Sequence, residues 1–169
     1  MTNEAVIRHW PEIQRVVEIG QRSCLYCSIA TVDADGVPNV TPIGTVFLNS
    51  TPGGFFFDQY TSTLAANLDS NNRICLLAVD SRKIFWLRSL LLGRFRSPPG
   101  VRLYGTAGPL RPATESELQC IEARVQSAKR LKGGGLLWSS FTHVREFTFS
   151  SFRPVSYPVM MERLWQADA

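Results

Sequence analysis

The order of apolar and polar positions changes period several times along the chain, and each change marks an element. After Pro11, the residues Ile13, Val16 and Val17 recur at helical spacing. Pro11 suits a first helical turn, where its missing N–H has no intrahelical partner, and Gly20 is placed to end the helix. This predicts a helical segment within residues 1–22. From Cys24 the period shortens. Leu25 to Val32 is rich in apolar and β-branched residues and predicts a strand. Asp33-Ala34-Asp35-Gly36 predicts a turn, and Val37 to Thr41 a returning strand with Pro38 near its start. Gly44 to Leu48 continues it or forms a third strand after the break at Pro42. Asn49 to Gly54 reads as a turn and Phe55-Phe56-Phe57-Asp58 as the next strand.

Leu64, Ala65 and Leu68 then fit one short helix, with Ser62 or Thr63 at its cap and Asn71-Asn72 ending it. Arg73 to Val79 is a dense apolar strand expected deep in the fold. Residues 81–103 hold Arg82, Lys83, Arg88, Arg94, Arg96 and Arg102, no acid, and a run of large apolar residues. They predict a basic, apolar insertion over 81–100, helical or covering, ended by Gly93 and Pro98-Pro99-Gly100. Val101 to Ala107 follows as a strand. A helix within 112–132 starts on a capping box of Thr114 and Glu117 and carries the stripe Leu118, Ile121, Val125. Lys129, Arg130 and Lys132 crowd its end, where the helix dipole favours cations, and Gly133-Gly134-Gly135 is expected to stop it. Val144 to Phe149 predicts a strand, with a sequel through Phe152 and Val155.

Six or seven short strands, an early hairpin and one late capped helix predict a mainly β, α+β chain: an antiparallel barrel with peripheral helices. At 169 residues it is expected to form one domain. No apolar run reaches the roughly 18–20 residues that span a bilayer. The first ten residues carry Glu4 and Arg8 and no long apolar core, so the expected location is cytoplasmic. The net charge of +4 favours anionic ligands in general. Cys24 and Cys27 form a single CxxC without a second pair, and His9 and His143 are the only histidines. Structural thiols fit this better than a zinc or redox site, and no metal site is expected. Neither histidine has a nucleophile elbow beside it.

Local sequence narrows the barrel. Cys27 to Pro42 (CSIATVDADGVPNVTP) resembles the opening hairpin of the pyridoxamine 5′-phosphate oxidase-like family. Gly54 to Asp58 (GFFFD), Ser62 to Leu68, and Asn72 to Val79 (NRICLLAV) resemble its next strand, helix and strand. Gly105 to Gly108 (GTAG) with the following helix resembles a later pair. The likeness covers about residues 24–130. It implies a split β-barrel of the FMN-binding type, and a homodimer with flavin mononucleotide at the subunit interface. It further implies oxidoreductase activity on a small molecule, with the deazaflavin F420 or haem as alternative cofactors and a non-catalytic cofactor-binding module as the alternative function. A membrane partner is not expected, and nucleic acid, through the basic residues of 82–102, is an unfavoured third reading.

The resemblance also implies where a flavin would lie. Thr41, Pro42, Ile43, Gly44 and Thr45 would meet the ring. Thr61, Ser62 and Thr63, at a helix start, would meet the phosphate, with Asn67 one turn on and Asp58 and Gln59 just before. The chain departs from the oxidase pattern at the cations. Pro42 to Leu48 contains neither arginine nor lysine, and the pattern's Ser-Arg-Lys stands as Ser62-Thr63-Leu64. Arg94 and Arg96, in this chain or a partner copy, are the expected substitutes. Near the C-terminus, Arg163-Leu164-Trp165 reverses the order of the oxidase's substrate-binding tail. A typical pyridoxamine 5′-phosphate oxidase is therefore not the expectation.

Overall fold

The computed structural model describes residues 3–138, 140–157, 159–161 and 164. The elements in order are α1 (Asn3–Cys24), β1 (Cys27–Val32), β2 (Pro38–Ile43), β3 (Val46–Leu48), β4 (Gly53–Phe57), α2 (Ser62–Ser70), β5 (Arg73–Val79), α3 (Lys83–Leu92), β6 (Gly100–Pro112), α4 (Glu115–Lys129), α5 (Lys132–Leu137) and β7 (His143–Pro154). The strands pair antiparallel in the order β2-β1-β5-β6-β7-β4-β3. β2 and β3 stand at opposite ends of this order, yet only Gly44 and Thr45 separate them in the chain. The sheet therefore curls until its two edges approach, which gives the expected split barrel. β6 and β7 supply the bending. Their register shifts between Tyr104 and Gly105 and again between Ala107 and Leu110, and such bulges raise local twist.

The register decides which residues face inward, because a strand alternates sides residue by residue. Cys27, Ile29 and Thr31 of β1 face in beside Ile74, Leu76 and Ala78 of β5. α1 supplies Val6, Trp10, Ile13, Val16 and Val17 to the same core. β4 is buried on both sides. Phe56 enters the barrel core, while Phe55 and Phe57 pack outside with Ile121, Val125 and Val144 beneath α4. Among the described residues no helix is long and apolar enough to cross a membrane.

Several local expectations are corrected. α1 starts at Asn3 and runs through Pro11, because Val6 and Trp10 continue the buried stripe of Ile13 and Val17 across the exposed proline. Gly20 does not end it. A Cβ there would lie 3.0 Å from the Val79 amide nitrogen, so glycine lets helix and strand touch. In α4 Leu118 is exposed and Glu117 is buried in its place. α4 stops at Lys129, and the glycines of 133–135 lie inside α5. Gly134 sits where a Cβ would be 1.8 Å from the Ala128 carbonyl, so a bare backbone allows α5 to fold against the end of α4. The two expected C-terminal strands are one, β7. Arg163 and Trp165 lie outside the described residues.

Burying Glu117 requires partners. Arg111 donates to both of its carboxylate oxygens, at 2.7 and 2.9 Å, and also reaches Glu146. The Thr114 amide donates to Glu117 at 2.8 Å, and the Thr114 hydroxyl accepts the Glu117 amide at 3.3 Å, completing the capping box. The Arg111 hydrogen bonds pull the Glu117 pKa down from 4.5 to about 2. A depressed carboxylate stabilises the fold above its unfolded pKa and stops doing so as pH falls through the folded value. Glu117→Gln should cost about 2–3 kcal/mol at pH 7. In urea unfolding the gap between wild type and variant should close as pH drops from 4.5 toward 2; a gap that stays constant would contradict the assignment.

Candidate functional site

A charged residue inside the barrel organises its β4 end. Arg145 pairs with Phe56 in the register and faces inward with it. Its side chain is 3% exposed. Its Nε donates to Asp58 Oδ2 at 2.7 Å, and Nη2 donates to Asp69 Oδ1 at 2.9 Å. Burial alone lowers the Arg145 pKa, but the hydrogen bonds to Asp58 and Asp69 outweigh it and push it up. Arg145 therefore stays charged and holds both ends of the segment carrying α2.

Asp58 has a second task. Its other oxygen, Oδ1, accepts a hydrogen bond from the hydroxyl of Thr61. Thr61 is the N-cap of α2, and its side chain makes no cap hydrogen bond because Asp58 holds it. The first amides of α2 are thus left without a side-chain acceptor, next to the exposed side chains of Ser62 and Thr63. Just before them Tyr60 sits at φ 61° with its ring exposed, a backbone region costly for a bulky residue. The side-chain oxygen of Gln59 is buried without a hydrogen-bond partner among the described residues. Buried acceptors of this kind are rare and call for an explanation. Asn67, one turn on, is buried, and its amide donates to the Thr31 hydroxyl of β1 at 3.0 Å.

The other expected segment lies at the same end, linked through β4. The Thr45 hydroxyl donates to the Phe57 carbonyl at 3.3 Å and accepts the Phe57 amide at 3.2 Å, one residue before Asp58. The Gly44 carbonyl accepts from Gln21 at 2.9 Å and from Arg124 at 3.2 Å. The guanidinium of Arg124 lies 3.6 Å above the centre of the Phe47 ring, so α4 clamps this edge. Ile43 is buried in the core, Pro42 is exposed, and the Thr41 hydroxyl accepts from Asn39 at 3.0 Å. Beside Gly44 stands Leu25, also at positive φ (71°) and exposed.

The structure therefore joins Thr45, Asp58, Gln59, Thr61, Ser62 and Thr63 at one end of the barrel. Of these, Thr45, Asp58 and Thr61 have their side chains engaged by the protein itself, as does Asn67. Arg94 and Arg96 are elsewhere in the chain. They line a groove formed by residues of the 82–97 segment alone, which shares no residue with the two loops. The sequence reading missed Arg145, Asp69 and Thr31. A charged residue at an inward position of the alternating run Val144-Arg145-Glu146-Phe147 was the available signal. Cys27, Cys24, Cys75 and Cys120 are free thiols, and burial pushes Cys27 up to about 12, so it stays protonated at neutral pH.

The sequence profile of the pyridoxamine 5′-phosphate oxidase family matches residues 10–147. No curated protein sequence matches the chain. Among solved structures, an FMN-binding protein from Syntrophomonas wolfei is 12% identical, with a TM-score of 0.61, over 91% of this chain and 97% of that one. HupZ of Group A Streptococcus is 18% identical, with a TM-score of 0.54, over 84% and 92%. An F420 reductase is 12% identical, with a TM-score of 0.50, over 83% and 94%. At these identities the likeness establishes the fold.

Removing one partner of a buried ion pair strands the other. Arg145→Met should therefore cost about 3–5 kcal/mol in chemical denaturation. Asp69→Asn, whose side chain is 70% exposed, should cost under about 1 kcal/mol. Equal costs for the two would show that Asp58 is not the principal partner.

Proposed function

Because the chain belongs to the pyridoxamine 5′-phosphate oxidase family, we propose that it binds flavin mononucleotide at the α2 end of its barrel and acts as a flavin-dependent oxidoreductase on a small molecule. The observation that carries this reading is the open start of α2. Its first amides lack a side-chain cap because Asp58 has taken the Thr61 hydroxyl. A helix start combines free N–H donors with the positive end of the dipole, which suits a phosphate. Ser62 and Thr63 add hydroxyl donors there. This donor set fits the phosphate without the missing arginine and lysine, at the cost of charge-assisted strength.

Gln59 supports the same reading from the ring side. Its orphaned oxygen is an acceptor awaiting a donor, and the flavin N3–H is one. The exposed side chains of Leu25 and Tyr60 (80% and 75%) offer apolar cover at the two loops. Thr45 and Gly44 hold their loop rigid through Phe57, Gln21 and Arg124. The bound flavin would supply the hydride or electron transfer, and the protein orientation and exclusion of water.

A second copy of the chain completes the proposal. On the outer side of the sheet, Val40, Ala30, Cys75 and Tyr104 stand in one cross-strand row. Val32, Val37 and Val40 of the hairpin are exposed. Such a face suits an isologous dimer with the flavin at its border. Light scattering of the purified protein should read two chains per particle, and a monomer at micromolar concentration would count against it.

The spectrum of the purified chain should show flavin bands, with flavin mononucleotide in the dissociated material by mass spectrometry. Gln59→Leu should leave the apoprotein as stable or more so, because it removes an unpaired buried acceptor. Its affinity for flavin mononucleotide should fall about tenfold. Ser62→Asp places a negative charge on the phosphate site and should weaken binding at least as much, while helix electrostatics keep the fold intact. Full flavin occupancy in both variants would sink the assignment.

A further inference from the structure

The segment between β5 and β6 carries a surface that shares no residue with the two loops proposed for the flavin. α3 is fastened to the body along one side. Phe85 stacks on Phe95 at 5.7 Å, and Trp86 meets Tyr157 edge-on at 5.6 Å. The Trp86 indole N–H donates to the Asp80 carbonyl at 2.6 Å. Ser89 is buried, and its hydroxyl donates to the Phe85 carbonyl at 2.8 Å. Gly93, in the left-handed conformation, ends the helix. The orientation is fixed, so what α3 presents outward is built in.

That outward side is apolar. Ile84, Leu87, Leu90 and Leu91 are 72%, 58%, 67% and 77% exposed. Next to them runs a groove of about 680 Å³, floored by Phe85 and Leu92 and rimmed by Lys83, Arg88, Arg94 and Arg96. Its lining residues include no acid. Arg82, which also lines the groove, is paired with Asp80.

Charge decides what can cover this face. A second copy docking helix to helix would set these cations against their own equivalents. Nucleic acid would satisfy the cations but leave Leu87 and Leu91 nothing to bury against. An anionic bilayer satisfies both, because its boundary accepts apolar side chains while its phosphates meet the arginines and lysine that reach back to them. We propose that α3 and the loop to Ser97 form a peripheral docking surface for membranes containing anionic lipid. Leu87, Leu90 and Leu91 enter the boundary between headgroups and chains, and Lys83, Arg88, Arg94 and Arg96 bind the lipid phosphates. No spanning segment is needed for this, because the helix lies in the membrane surface. This proposal does not depend on the flavin reading.

Vesicle co-sedimentation of the full chain tests it. Binding should occur with phosphatidylcholine mixed with phosphatidylglycerol, be absent with phosphatidylcholine alone, and decline as salt is raised. Leu87→Ser combined with Leu91→Ser should weaken it about tenfold or more. Arg94→Ser combined with Arg96→Ser should weaken it about twentyfold or more. All four side chains are exposed, so both variants should keep the wild-type circular dichroism spectrum, and both should retain wild-type flavin content and particle mass. The proposal is overturned by failure to bind mixed vesicles, by equal binding to neutral ones, or by unchanged binding in either variant. A changed particle mass in the leucine variant would assign the face to a second copy, and lost flavin in the arginine variant would assign the groove to the cofactor. Salt-sensitive binding of a DNA duplex without vesicle binding would assign it to nucleic acid. Each of these three results also overturns it.

Discussion

A guanidinium buried inside a small barrel has to be neutralised where it stands, and the site end of this fold is arranged around that need. Arg145 faces inward beside Phe56 because strand alternation leaves it no other side. Asp58 follows β4 directly and supplies the nearest carboxylate. With one oxygen committed to Arg145, Asp58 uses the other to take the Thr61 hydroxyl. The ordinary arrangement would have Thr61 cap α2. Its diversion leaves amide donors at the helix start unclaimed by any side chain, beside an exposed serine and threonine. The buried ion pair and the uncapped helix start thus share one carboxylate.

The same arrangement gives several of the expected contact residues a structural task as well. Asp58 and Thr61 are fully engaged within the protein, and Asn67 ties α2 to Thr31 of β1. They fix the position of the helix start. Ser62, Thr63 and the unpaired oxygen of Gln59 are what remains to meet a guest. A different surface lies on α3, where cations stand among exposed leucines. The two differ in chemistry: one offers neutral donors at a helix start, the other exposed charges beside apolar side chains.

Much of this was legible in the residues. The apolar run of β5 starts and stops where alternation and Asn71-Asn72 place it. The capping box of Thr114 and Glu117 forms, and Gly93 ends α3. Local signals such as these depend on neighbours in sequence, and sequence displays them directly. What it hid depends on neighbours in space. Gly20 reads as a helix stop until Val79 is seen against it. Leu118 reads as core until Arg111 pulls Glu117 inward. Family likeness points to the loops of Thr41–Thr45 and Thr61–Thr63, and the link between them, the Thr45 hydroxyl on Phe57, has no sequence signature. Arg94 and Arg96 carry charge that the sequence displays, but their place on the rim of a groove within the 82–97 segment depends on how α3 packs.

If the open start of α2 is what holds the cofactor, affinity has to reside in the phosphate. Parallel fluorescence titrations of the apoprotein with flavin mononucleotide and with riboflavin, which shares the ring and polyol but lacks the phosphate, measure this directly. The account predicts at least about tenfold tighter binding of the phosphorylated flavin, the contribution of one or two hydrogen bonds to a charged group. Equal affinities for the two would contradict it.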